Sequence, residues 1–228
     1  MIDKSASVAE DNVSKSAVRV WDTFVRFSHW TVAGAFFVAY FTEDELLTLH
    51  VWAGYTIGLL VVMRIVWGFV GPKHARFSDF IYGPFKILTY LANLATFRAT
   101  RYIGHSPAGG IMVLALLSGL LATVWTGLEV YAIEENAGPL AVLSAGPKTA
   151  SAPAANILIL ASQDDDEEED EGRTREDEEE FWEDLHEVLA NLMLALVILH
   201  IGGVALASVA HRENLVRAMV TGFKRSPD

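Results

Sequence analysis

Four apolar stretches stand out along the chain: Thr23 to Phe41, Leu46 to Val70, Ala108 to Val130 and Asp184 to Ala210. Each is close to or above the roughly 20 residues that a helix needs to cross a bilayer. The last is the clearest, with no Asp, Glu, Lys or Arg from Val188 to Val209. The first two are separated only by a short acidic turn, Glu43 to Glu45, so they must be antiparallel neighbours. Between the second and third, Gly71 to Gly104 is more polar and holds Lys73, Arg76, Lys86, Arg98 and Arg101. Within it, Pro84 to Phe97 (PFKILTYLANLATF) has an amphipathic pattern and predicts a helix lying in the membrane interface. The pattern predicts an all-α integral membrane fold: a four-transmembrane-helix bundle with an interfacial helix between helices two and three.

The segments outside the spans set the boundaries. Residues 1–17 form a polar N-terminal tail with no small-residue cleavage site after it, so no signal peptide is expected. Val18 to Arg26 (VRVWDTFVR) mixes charge with Trp21 and Phe24, which suits a helix start at a membrane surface. Residues 131–163 are expected to be an irregular linker, in which Asn156 to Ala161 (NILILA) is too short to span. Asp164 to Glu180 holds thirteen acids against two arginines and is expected to be an extended, solvated outer loop. Residues 18–211 then make one membrane domain that includes this acidic loop 164–180. Residues 212–228 make a basic tail.

Charge orients the spans. Basic residues cluster in the N-terminal flank, in the 71–104 connection and in the C-terminal tail, whereas acidic residues occupy the other two connections. Four spans with both termini cytoplasmic satisfy the positive-inside rule at every loop. The expected location is a bacterial inner membrane, with the acidic block in the periplasm. Composition agrees: 52% of 228 residues are hydrophobic, yet the net charge is −12, and the two fit together only because the charge is segregated. The chain has no cysteine, which excludes disulfides, thiolate zinc sites and Cys-ligated iron–sulfur clusters. Histidine is left as the obvious metal ligand.

Four histidines lie within the apolar stretches. His186 and His200 are fourteen residues apart, close to four helical turns, so they project from nearly one face about 21 Å apart. An ionisable group inside a span is costly and marks a functional site by default. At 1.5 Å per residue, His29 lies about 9 Å from the inner boundary and His200 about 24 Å from the outer one. Across a hydrocarbon layer of about 30 Å these are one level. His50 and His186, about 6 Å and 3 Å in from the outside, share a second level. Two bis-histidine levels suit haem iron, which takes axial ligands from both faces of a flat macrocycle. Zinc fits poorly, since each level offers two histidines and no thiol. Gly54 and Gly58 after His50, and Gly202 and Gly203 after His200, leave room for close approach. Arg64, fourteen residues after His50, returns to the same face about 21 Å deeper. There it either pairs with a haem propionate or snorkels to the inner surface.

These residues resemble the bacterial cytochrome b-561 and nickel–iron hydrogenase cytochrome b family over most of residues 18–210. The marks are VRVWDTFVRFSHW with His29, LHVWAGYTIGLLVVMRIVWGFVGP with His50 and Arg64, RYIGHSPAGG, and the spacing of His186 and His200 on the last helix. The resemblance implies a four-helix membrane protein with two haems b, ligated by His29, His50, His186 and His200. It also implies electron transfer between the quinone pool and a partner redox protein, either a periplasmic c-type cytochrome or a dehydrogenase or hydrogenase subunit. The chain would then act as a quinol/quinone oxidoreductase subunit with no acid or base at the haems themselves. His105 and Asp22 are candidates for proton acceptors at a quinone site on the inner side. The acidic insertion at 164–180 departs from the family pattern and leaves the partner's identity open. No nucleic-acid partner is expected, and the oligomeric state is not legible. The rival reading is a membrane anchor or assembly module with non-redox histidines.

Overall fold

The computed structural model describes residues 17–43, 46–144 and 165–226, leaving aside the side chains of 165–175. The element order is β1 (Ala17–Arg19), α1 (Thr23–Tyr40), α2 (Leu47–Val70), α3 (Pro84–Ala95), α4 (Pro107–Glu134), α5 (Gly138–Ser144), α6 (Asp165–His211), α7 (Leu215–Thr221) and β2 (Phe223–Arg225). Two short 3-10 turns, Lys73–Ala75 and Phe77–Asp79, lie between α2 and α3. The helices α2, α4 and the Glu176–His211 part of α6 are long and apolar enough to cross a membrane. Little of the apolar surface of α4 and α6 is covered by the protein itself, as suits helices whose solvent is lipid. α1 is 18 residues long, and Arg26, Ser28 and His29 lower its apolarity.

The chain divides into two compact units: residues up to Leu120 together with Met193 onward, and Leu121–Leu192. In the first, α1 and α2 pack as the predicted antiparallel pair. Met193 is almost fully buried, and a Cβ added at Gly119 would meet its sulfur at 2.3 Å, so a side chain at 119 would require the methionine to shift. Asp22 starts α1: one carboxylate oxygen accepts from the Val25 N–H at 3.0 Å, and the other accepts from the Trp67 indole at 3.3 Å. That second bond ties the start of α1 to the last turn of α2.

The two ends of this unit clasp each other. β1 pairs antiparallel with β2, Ala17 opposite Arg225 and Arg19 opposite Phe223. The Gly222 carbonyl accepts from Val20 and Trp21 at 2.9 and 3.2 Å. Gly222 ends α7 at φ 88°, where an added Cβ would lie 2.8 Å from the Trp21 carbonyl oxygen. Glu213 accepts two hydrogen bonds from Arg101, at 2.9 and 3.3 Å, and one from the Arg225 N–H at 3.2 Å. Burial pushes this carboxyl up, but the Arg101 hydrogen bonds and the charges of Arg101 and Lys224 outweigh it and hold the group below its usual range.

Three expectations need correcting. The acidic stretch 164–180 is not an extended loop, because from Asp165 the backbone is helical and continuous with the span to His211. Glutamate is a good helix former, and acids near a helix N-terminus complement its dipole. These terms outweigh the mutual repulsion on which the loop expectation rested. Val18 and Arg19, expected as part of a helix start, lie instead in strand β1, which pairs with β2 of the C-terminal tail. The 131–163 linker begins later than expected, since α4 runs to Glu134, and it contains α5. The NILILA stretch lies outside the described residues, as does most of the N-terminal tail. In the second unit, the C-terminal end of α4 brings Glu134 beside Glu179 and Glu183 of α6, with carboxylate oxygens within 4.8 Å of one another.

Candidate metal centre

His29 lies in the second turn of α1, and His200 lies well inside α6. Their ring centres are 6.3 Å apart, with the planes inclined at 56°. A metal ion between two rings at this separation would be held by one nitrogen from each. His29 Nδ1 is buried and has no hydrogen-bond partner among the described residues, an arrangement a folded protein rarely leaves unexplained. A Cβ added at Gly34, Gly54, Gly202 or Gly203 would meet nothing within 4 Å among the described residues. Gly34, Gly202 and Gly203 are exposed and Gly54 is half-buried, so no described side chain packs against them. A two-nitrogen donor set fits haem iron.

His50 and His186 fall in different units, and each is described by itself. His50 Nδ1 lies 2.9 Å from the Ala39 carbonyl at the end of α1. A carbonyl only accepts, so the imidazole proton is on Nδ1 and its lone pair is on Nε2. His186 reaches the same state by another route. The Thr126 hydroxyl donates to the Thr123 carbonyl at 3.0 Å, so its oxygen accepts from His186 Nδ1 at 3.0 Å. Gly127 lets α4 pass beside this ring, since a Cβ there would lie 2.8 Å from His186 Cε1. Orienting a histidine through its far nitrogen is the common support for a metal ligand.

Arg64 is 8% exposed. One guanidinium nitrogen donates to the Ala75 carbonyl at 3.1 Å, the other terminal nitrogen is buried with no partner among the described residues, and the group stands 5.7 Å over the Phe77 ring. It is therefore folded under the loop that follows α2. Arg26, one turn before His29, donates to the Val220 carbonyl and has a buried, unpartnered Nε among the described residues. The candidate proton acceptors fare differently. Asp22 spends both oxygens on the Val25 N–H and Trp67. His105 packs 4.6 Å from Trp21 and 4.4 Å from Phe80. Burial, aided by the charges of Arg64, Lys224 and His74, pushes His105 down to about 3, so it takes no proton near neutral pH.

Neither Arg26 nor Thr126 was singled out in the sequence. Thr126 had a signal: it is a hydroxyl inside an apolar span, three residues after another threonine and next to a glycine. Arg26 had a weaker one, since an arginine near a helix start is ordinarily an interfacial anchor.

The family model of prokaryotic cytochrome b561 matches residues 20–222. The chain belongs to that family. None of the curated proteins and none of the solved structures matches it. The chain is a multi-pass membrane protein, and its family binds b-type haem and carries electrons across the membrane. The resemblance seen in the sequence is thus the family of the chain.

Thr126→Val keeps the shape and removes the acceptor for His186. The expected outcome is a haem lost roughly 10–100 times more readily, following the usual effect of removing a ligand's support. Transfer of haem to apomyoglobin would measure it. Wild-type transfer kinetics would reduce Thr126 to a packing residue.

Proposed function

We propose that this cytochrome passes electrons across a bacterial inner membrane through two b-type haems, between the quinone pool and a partner redox protein. The observation that carries the reading is the His29–His200 separation of 6.3 Å, which suits one iron between two imidazoles. His29 and His200 would hold the inner haem. His50 and His186, each with its proton directed to a carbonyl or hydroxyl acceptor, would hold the outer one. The haem iron, cycling between Fe(II) and Fe(III), supplies the one-electron chemistry. The residues bind it, exclude water and set its potential. No side chain is assigned as a catalytic acid or base, and as a quinol/quinone oxidoreductase subunit the chain would need a proton path other than Asp22 or His105.

α1 serves as the fourth span in this reading. Its 18 residues cover about 27 Å, and its polar face is the one that carries His29. Both termini are cytoplasmic, which keeps the basic 71–104 connection inside. The acidic start of α6 is then periplasmic, near His186. A negative field at an electron exit favours encounter with a basic partner such as a c-type cytochrome.

Arg64 is assigned to a propionate of the inner haem, because its buried, unpartnered nitrogen suits a charge-assisted hydrogen bond. This assignment rests on the inner pairing.

Haem content tests the ligand set. His29→Ala and His200→Ala should each lower it from two per chain toward one, with the same haem lost in both. His50→Ala and His186→Ala should each remove the other haem. Any of the four variants keeping two low-spin bis-histidine haems would break the pairing. Arg64→Leu should keep both haems and make the inner potential more negative, because the lost positive charge favours the reduced iron. A redox titration that finds that potential unchanged removes Arg64 from the site.

A further inference from the structure

The helix α3 has three distinct sides. Tyr90 and Leu94 are buried against the protein. Phe85, Leu88 and Leu91 are exposed although apolar. Lys86, Thr89 and Asn93, at spacings of three and four, form a polar stripe opposite Leu88 and Leu91. In a membrane protein such a helix lies in the interface, with its apolar side toward the acyl chains. The polar stripe is then at headgroup level.

The end of α3 turns this stripe into a groove. The Arg98 N–H donates to the Asn93 carbonyl at 2.8 Å and the Phe97 N–H to the Leu94 carbonyl at 3.1 Å, the two bonds of a Schellman closure. Phe97 occupies the left-handed position, φ 57°, where glycine is usual. The reversal brings Thr100 and Tyr102 alongside the stripe. With Lys86, Thr89, Tyr90 and Asn93 they line an open groove of about 310 Å³. The Lys86 ammonium stands 4.4 Å from the Tyr82 ring centre and 5.8 Å from that of Tyr102. Among the described residues no carboxylate is within ion-pair distance of it. The surrounding connection, Gly71 to Gly104, has five basic residues and a single acid, Asp79, whose carboxylate is paired with His74 at 2.9 Å.

We propose that this groove holds the phosphate headgroup of an anionic phospholipid, whose acyl chains pass Phe85 at the groove's edge into the apolar layer that Leu88 and Leu91 also face. The Lys86 ammonium supplies the counter-charge at a fixed place, because the two tyrosine rings hold it. The Thr89 and Thr100 hydroxyls and the Asn93 amide supply donors for phosphate and glycerol oxygens. A neutral quinone headgroup would use the hydrogen bonds but not the charge, so the unpaired lysine favours the lipid.

The test is native mass spectrometry of the detergent-purified holoprotein after delipidation, with phosphatidylglycerol or phosphatidylcholine added at equal concentration. The expected result is one phosphatidylglycerol retained per chain in clear preference to phosphatidylcholine. Lys86→Gln should lower that retention at least five-fold with haem content unchanged, and Lys86→Arg should largely keep it. Lys73→Gln, an equal change in net charge away from the groove, should leave it as it was. Equal retention of the two lipids would overturn the proposal, as would an equal loss in Lys73→Gln and Lys86→Gln. Full displacement by millimolar inorganic phosphate would make this a soluble-anion site, and displacement by ubiquinone would make it a quinone site. Either result also overturns the proposal. None of these outcomes depends on which histidines hold haem.

Discussion

Two imidazoles facing each other between apolar helices set the terms for the rest of the molecule. A histidine inside hydrocarbon is costly unless its nitrogens are satisfied. His29 and His200 stand 6.3 Å apart, too far to hydrogen-bond with each other and suited to one metal ion between them. The helices that carry them must therefore be held at a fixed spacing. Glycine at 119 leaves room for the Met193 side chain beside α4.

The N-terminal end of α1 is fixed by polar bonds, and these bear on the site because His29 is only seven residues from Asp22. Asp22 joins α1 to α2 through Trp67, and the β1–β2 pairing joins the start of the membrane domain to its end. Arg26 donates to Val220 from one side of its guanidinium, while its Nε is left without a partner among the described residues. Arg64 has the same half-satisfied state. Arg64, buried with a spare donor among the described residues, suits a negative charge such as a haem propionate would bring.

The membrane class, the α1–α2 hairpin and the amphipathic helix α3 were legible because each depends on a local pattern of apolar residues. The His29–His200 pairing was legible for a different reason: bilayer thickness and helix rise turn sequence position into depth. That conversion needs no knowledge of which helices touch. What it could not give was side-chain support. The bond from His186 to Thr126 links residues sixty apart in sequence, and the clasp of Ala17–Arg19 with Phe223–Arg225 spans almost the whole chain. Three-residue strands carry too little pattern to be recognised. The acidic stretch was misjudged because composition was weighed ahead of propensity. Thirteen carboxylates repel, yet most are glutamates, and glutamate is a good helix former.

The claim on which the account rests is that each of two irons is held by a pair of imidazoles. Low-temperature electron paramagnetic resonance of the fully oxidised protein, with the signals integrated against protein concentration, reads this directly. The account predicts two low-spin ferric haems per chain, both with the g-values of bis-imidazole ligation, and no high-spin signal. One low-spin haem per chain, or a high-spin ferric haem in the intact protein, would contradict it.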